Sequence, residues 1–321
     1  MKLEDIKKVV IAGAGVMGSS AAQRMAEYGY DVVLYNHREV TLEKAKHLID
    51  LNQANLVETG KKTKQESDEI LSRIEYTTSM DCYKDCDLVN ESIIENLDIK
   101  KDFWKQVSDL AKPDAILTTN TSGLSITKIA EAVSNPERFG GMHWLNPPHL
   151  VPLIEIIKGD KTSDETADLI YAVCEKVEKV PVIARKDVPG FITNRMQFAM
   201  MRECMHLVES GVATVEDVDK TMKYGFGFRW AFIGPFQTSD FGGVDTFYHV
   251  ASYLFNDLSD MKKPPQMMKD LFDNGCFGVK SKKGWYDYPN GRDEEMIRYR
   301  DECFIEHAKM LLDIDKKYGF R

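Results

Sequence analysis

Apolar residues in the first half of this chain follow two alternating patterns. Short runs rich in β-branched residues, starting with Val9 Val10 Ile11 Ala12 and Asp31 to Tyr35, read as buried strands. Between such runs lie segments whose apolar positions return every three or four residues, the spacing of helices. Further strands are predicted at Glu75 to Thr78, Leu88 to Ser92, Ala115 to Thr119, Phe139 to His143, Ile154 to Ile157 and Val182 to Ala184, with helices such as Ile99 to Leu110 and Ser125 to Val133 between several of them. Thr162 and Glu165 have the spacing of a capping box for a helix running to about Lys179. Residues 41–75 are too long and polar for a plain crossover, and their helical spacing on both sides of Glu58 Thr59 Gly60 predicts a helical hairpin inserted between the second and third strands.

The pattern changes at Asp187 Val188 Pro189 Gly190. Beyond it the spacing is helical throughout, with Phe191 to Ser210 rich in Met and Leu, Thr214 and Asp217 capping the next helix, and Thr246 to Leu258 forming another. The expected organisation is a first domain over residues 1–187 and an all-helical substrate and dimerisation domain over residues 188–321. The methionines Met196, Met200, Met201 and Met205 read as packing or a subunit contact.

The first strand runs into Gly13 Ala14 Gly15 Val16 Met17 Gly18, a GxGxxG turn that opens a helix and is followed by a second strand. In that context Gly13 permits the turn, Gly15 lets backbone N–H groups approach a pyrophosphate, and Gly18 lets the helix pack on the strand. The fold class that follows is α/β, a Rossmann-type doubly wound, mainly parallel sheet with a C-terminal all-helical domain, and its cofactor is a nicotinamide dinucleotide. After the second strand, Asn36 stands where an acid usually accepts the ribose hydroxyls, and Arg38 with His37 can neutralise a 2′-phosphate. The expectation is NAD or NADP, with NADP slightly favoured; the alternative is a solvated Arg38 and NAD.

Composition narrows the partners. The 321 residues are 43% hydrophobic with a net charge of −9, which leaves no basic footprint for nucleic acid, and no apolar run approaches a membrane span. The charged first residues run straight into the first strand, so no signal peptide is expected and the compartment is read as cytoplasmic. Six scattered cysteines read as reduced thiols, and no metal site is expected. Lys61, Lys62 and Lys64 at the hairpin turn are either a solvated face or a contact for the phosphates of a substrate handle.

Polar residues gather where the strands end: Glu91 and Glu95, Asn120 to Ser122, and His143 to Asn146. Histidine suits proton exchange with an alcohol, and Glu155, inside the apolar run Leu153 to Ile157, can hold the imidazole if the intervening loop folds back. Ser122 reads as a helix N-cap or as a hydroxyl for a reacting oxygen, and Asn194 as a structural amide or a group that polarises a carbonyl.

GAGVMG, NTSGLSIT at 120–127, GMHWLNP at 141–147, LIEII at 153–157, PGFITNR at 189–195 and GWYDY at 284–288 together resemble the L-3-hydroxyacyl-CoA dehydrogenase family, in order and over nearly the whole chain. The resemblance implies His143 and Glu155 as the catalytic pair, with Ser122 and Asn194 contacting the reacting substrate. It places Asn146 in the motif that follows the histidine, Glu95 and Lys100 near the nicotinamide half, and a dimer through the helical domain. Asn120 joins the expected cofactor contacts, and Lys61 and Lys64 the expected substrate contacts. Departures touch the substrate: Trp144 Leu145 replace the usual Phe pair, His149 stands where Pro is common, and Gly123 replaces a second Ser. Gly227 to Pro235 resembles the branch with carnitine and gulonate dehydrogenases, whose substrates lack coenzyme A. The expected reaction is hydride transfer between a nicotinamide ring and the 3-carbon of a short 3-hydroxyacyl-CoA; the alternative substrate is a free 3-hydroxy acid.

Overall fold

The computed structural model describes residues 1–319, which divide into two compact units, Met1–Arg195 and the residues from Met196 onward. The first is built on an eight-stranded sheet of order β3-β2-β1-β4-β5-β6-β7-β8. Its strands are β1 (Lys8–Ala12), β2 (Asp31–Tyr35), β3 (Ile74–Thr77), β4 (Leu88–Glu91), β5 (Ile116–Thr119), β6 (Phe139–Trp144), β7 (Leu153–Ile157) and β8 (Val180–Ala184). The helices between them are α1 (Val16–Glu27), α2 (Glu39–Glu58), α3 (Lys64–Ser72), α4 (Leu97–Leu110), α5 (Ile126–Ala130) and α6 (Asp164–Lys176). Every pairing is parallel except β6 with β7.

The apolar runs are continuous rather than alternating because both faces of the sheet are covered. Val9, Ile11, Val32 and Leu34 enter one core with Ala21, Ala22 and Met25 of α1 and Leu42 and Ile49 of α2, while Val10, Ala12 and Val33 enter the other with Trp104 and Val107 of α4. The hairpin is α2 and α3, the latter capped by Thr63 with Glu66. Lys62 at its turn pairs with Glu27 of α1, and Lys64 with Asp68 at 2.5 Å.

Two expected caps fall elsewhere. Ser163 and not Thr162 caps α6, accepting from the Thr166 N–H, because the Thr162 hydroxyl is already spent between the Gly159 N–H and the Phe139 carbonyl. Likewise Ser125 caps α5 and Ser122 does not.

The second unit is helical: α7 (Thr193–Glu209, entering from the first unit), α8 (Val215–Thr221), a π-helical turn over Met222–Phe226, α9 (Gly227–Trp230), α10 (Pro235–Gly242), α11 (Val244–Leu254), α12 (Gln266–Asp273) and α13 (Arg292–Tyr318). Thr214 caps α8, its hydroxyl accepting from the Asp217 N–H. None of these helices buries a single residue among those described, although α11 carries Val244, Phe247, Tyr248, Val250, Tyr253 and Leu254 on its exposed surface.

Candidate active site

The strand order reverses between β1 and β4, and the crevice beyond their C-terminal ends is where such sheets hold ligands. Gly13 has φ +107, and a Cβ there would lie 2.5 Å from the Ser92 carbonyl oxygen; a Cβ on Gly18 would lie 1.8 Å from the Gly13 carbonyl oxygen. No other residue fits at either position. Gly15 is different: a Cβ there would have nothing within 4 Å, so the cradle is open in front of it. It caps α1 without offering a side-chain acceptor, and Val16 beside it is exposed while Met17 is half-buried. The first N–H groups of α1 therefore face open space without a side-chain partner, which fits the pyrophosphate of a dinucleotide.

At the end of β2, Asn36 turns its Oδ1 to the Arg38 N–H at 2.9 Å, which leaves the Arg38 side chain exposed at the start of α2. The ends of β4 and β5 carry a denser network. Glu91, completely buried, accepts from the Ile93 N–H at 2.9 Å, the Thr119 hydroxyl at 2.8 Å, the Trp104 indole at 3.3 Å and the Lys100 ammonium. Lys100, itself only 1% exposed, also reaches Glu95 at 3.5 Å. Glu95 accepts from the Thr121 hydroxyl at 2.5 Å and the Ser122 N–H at 2.9 Å, which fixes the loop after β5. Asn120 ties three strand ends together, donating to the Ser92 hydroxyl at 3.2 Å and accepting from the Trp144 N–H at 2.8 Å.

The antiparallel register of β6 and β7 sets His143 directly opposite Glu155. His143 Nδ1 lies 2.8 Å from Glu155 Oε2, and both side chains are buried. Oε1 of the same carboxylate accepts from the Ile192 and Thr193 N–H groups at 2.9 and 2.8 Å. Phe191, buried at φ +53, sets its ring edge-on to the imidazole at 5.9 Å, and Asn194 donates to the Ser122 carbonyl oxygen at 2.7 Å. One short segment, residues 191–194, thereby joins the His143–Glu155 pair to the loop of Ser122. Asn146 is exposed beyond β6. Lys61 and Lys64 are exposed on the hairpin, and the Lys64–Asp68 pair does not touch this network.

Burial alone would push the Glu155 carboxyl up, but the bonds from His143 and Thr193 outweigh it and hold the group below the ordinary carboxylate value. A carboxyl depressed by folding contributes stability that is present above its unfolded value and lost as pH falls through the folded one. Glu155→Gln is therefore expected to flatten the acid limb of a plot of urea midpoint against pH below about pH 4.5; an unchanged acid limb would show that Glu155 carries none of that dependence.

Glu91 was legible as a carboxylate near the crevice, but nothing in its spacing announced that it would be the hub of the strand-end network. A lysine on a polar helix start reads as solvated, so Lys100 was singled out by the resemblance alone, and its burial against Glu91 had no signal in the spacing.

An open glycine cradle on a doubly wound sheet, with a buried histidine–carboxylate pair at the strand ends, defines a nicotinamide-dependent oxidoreductase. Residues 8–188 match the 3-hydroxyacyl-CoA dehydrogenase NAD-binding domain and residues 190–288 the 3-hydroxyacyl-CoA dehydrogenase C-terminal domain. The chain belongs to the 3-hydroxyacyl-CoA dehydrogenase family. It is 39% identical over 282 residues to a probable 3-hydroxybutyryl-CoA dehydrogenase of Deinococcus radiodurans, covering 88% of this chain and 100% of that one. It is also 36% identical over 284 residues to a 5-formyl-3-hydroxy-2-methylpyridine 4-carboxylate 5-dehydrogenase of Mesorhizobium japonicum, covering 88% and 91%. A crystal structure of an enzyme of that second kind, described as an NAD+-dependent dismutase, superposes with a TM-score of 0.87 at 33% identity over 95% of this chain and 98% of that one. The family domains end at residue 288, so α13 lies outside them. Among the described residues no helix is long and apolar enough to cross a membrane, and no group of three or more His, Cys, Asp or Glu side chains forms a metal site.

Proposed function

We propose that this protein moves hydride between a nicotinamide dinucleotide and the 3-carbon of a short-chain 3-hydroxyacyl-CoA, in either direction. The observation that carries the proposal is the His143–Glu155 pair, 2.8 Å apart and buried at the strand ends of a sheet with an intact glycine cradle. Gly13, Gly15, Val16, Met17 and Gly18 hold the pyrophosphate, while Asn36 and Arg38, Glu95 and Lys100, and Asn120 and Asn146 are assigned to the rest of the dinucleotide. When bound, it supplies the hydride acceptor or donor. In oxidation His143 takes the hydroxyl proton on Nε2, since Nδ1 is turned to Glu155, and the carboxylate offsets the imidazolium that forms. Ser122 and Asn194, tied to one another at 2.7 Å, orient the substrate oxygen.

A neutral Asn36 beside an exposed Arg38 supports acceptance of NADP(H) together with NAD(H). Lys61 and Lys64 are free to lean on the phosphates of coenzyme A only by giving up weak exposed contacts such as the pair with Asp68. The helical unit supports a homodimer, because a 27-residue helix with no buried side chain, together with the exposed apolar side chains of α11, requires a cover.

A second reading, a free hydroxy acid as substrate, is supported by the likeness over 95% of the chain to the pyridine-carboxylate dehydrogenase structure. One assay separates the two. Acetoacetyl-CoA and free acetoacetate are each supplied with NADH and with NADPH, and absorbance of the reduced nicotinamide is followed. The first reading expects turnover with the thioester and little with the free acid, and comparable kcat/KM for the two nucleotides. Turnover with the free acid alone supports the second, and turnover with neither removes the activity proposed.

A further inference from the structure

Lys179 is 3% exposed and stands immediately before β8, at the crevice edge of the sheet. The chain reaches it through Glu178 at φ +52, and the Lys179 N–H closes the end of α6 on the Cys174 carbonyl at 2.9 Å. Its ammonium donates to the carbonyl oxygens of Pro148 at 2.6 Å and Val151 at 2.7 Å, both in the loop that joins β6 to β7. That loop is poor in donors: Pro147, Pro148 and Pro152 have no N–H, and the N–H groups of Leu150 and Val151 both turn inward to the Pro147 carbonyl at 3.0 Å. Among the described residues no backbone N–H reaches the Pro148 or Val151 carbonyl. The neighbouring Val180 N–H takes the Pro152 carbonyl at 2.9 Å, so residues 179 and 180 hold the loop from behind. The Trp144 ring, at the other end of the loop, lies 5.6 Å from the ammonium.

Burial, then the charge of Arg24, push the Lys179 ammonium down to about 7, so keeping a cation here is costly and an apolar side chain would fill the space more cheaply. What an apolar side chain lacks is two donors. The loop they hold carries Asn146 near its start, whereas His143 and Glu155 are held independently by the β6–β7 register.

We propose that Lys179 is a positioning residue for the nicotinamide dinucleotide, holding through the Pro148 and Val151 carbonyls the loop that presents Asn146. The proposal rests on the cofactor reading above.

Fluorescence titration with NADH of the full-length wild type, Lys179→Met and Lys179→Arg tests it. Lys179→Met is expected to weaken NADH binding about tenfold, with the loss in KM for NADH and not in kcat. Lys179→Arg, which keeps the charge and the donors, is expected to recover most of the affinity. Among the described residues, the charged, titratable and aromatic groups that act on the ammonium include Arg24 and Glu27 from α1, Cys174 from α6 and the Trp144 ring. As pH rises through about 7 the ammonium loses its charge-assisted bonds, so wild-type NADH affinity is expected to fall there and that of Lys179→Arg to stay level. This second comparison decides the matter if Lys179→Met does not fold. NADH binding by Lys179→Met within about twofold of wild type, or the same pH dependence in wild type and Lys179→Arg, overturns the positioning role alone. A wild type that binds no NADH overturns the cofactor reading beneath it.

Discussion

His143→Ala is expected to lower kcat by about a hundred- to ten-thousandfold while leaving NADH binding near its wild-type value. The imidazole is 4% exposed and its Nδ1 is turned to Glu155, so one nitrogen is oriented and the other is left for the substrate. Alanine removes the proton acceptor but not the strand, because the β6–β7 register is carried by backbone bonds. Glu155 keeps its two N–H donors from Ile192 and Thr193, so the fold loses only the half of the carboxylate that faced the ring, at a cost of about 1–3 kcal/mol. Steady-state rates and an NADH titration on the same preparation separate the two effects. Near-normal turnover would remove His143 from the chemistry.

The largest stability effect is expected at Lys100→Met. Glu91 has no exposed surface, and Lys100 is the only cation among its hydrogen-bond partners in the described residues. Methionine fills a similar volume but leaves a buried carboxylate with neutral donors only, a loss of about 3–5 kcal/mol in the unfolding free energy of the sheet-containing unit. Urea unfolding reads the loss, and the double variant with Glu91→Gln is expected to regain part of it because the stranded charge is then gone. A Lys100→Met midpoint equal to wild type would mean that the pair is energetically idle. Because Glu95, a second partner of Lys100, holds the Ser122 N–H, the variant is also expected to loosen the loop after β5.

Much of the sheet was legible in the sequence because parallel strands buried on both faces are written as unbroken β-branched runs, as in Val9 to Ala12. Ends were less legible: α6 stops at Lys176 and not near Lys179, since Glu178 and Lys179 turn back toward the sheet. Caps went astray where neighbouring hydroxyls competed, as with Thr162 and Ser163, and local spacing does not show which one a distant carbonyl will claim. The spacing of His143 and Glu155 showed that they could meet; that they do is a matter of strand direction, which one-dimensional patterning does not carry. The resemblance singled out Lys100 but not its burial, and Lys179 was not singled out at all, because a lysine buried by carbonyls or a carboxylate looks in sequence like any other lysine.

The single reversal of direction in the sheet separates two evolutionary freedoms. Side chains that alternate across a ladder change face if the ladder slips by one residue, so the match of His143 to Glu155 tolerates no insertion inside β6 or β7. Residues 145–152 lie outside the ladder and are under no such constraint. Descendants of this scaffold can change that connection without disturbing the proton-handling pair, provided the stretch that Lys179 holds is kept.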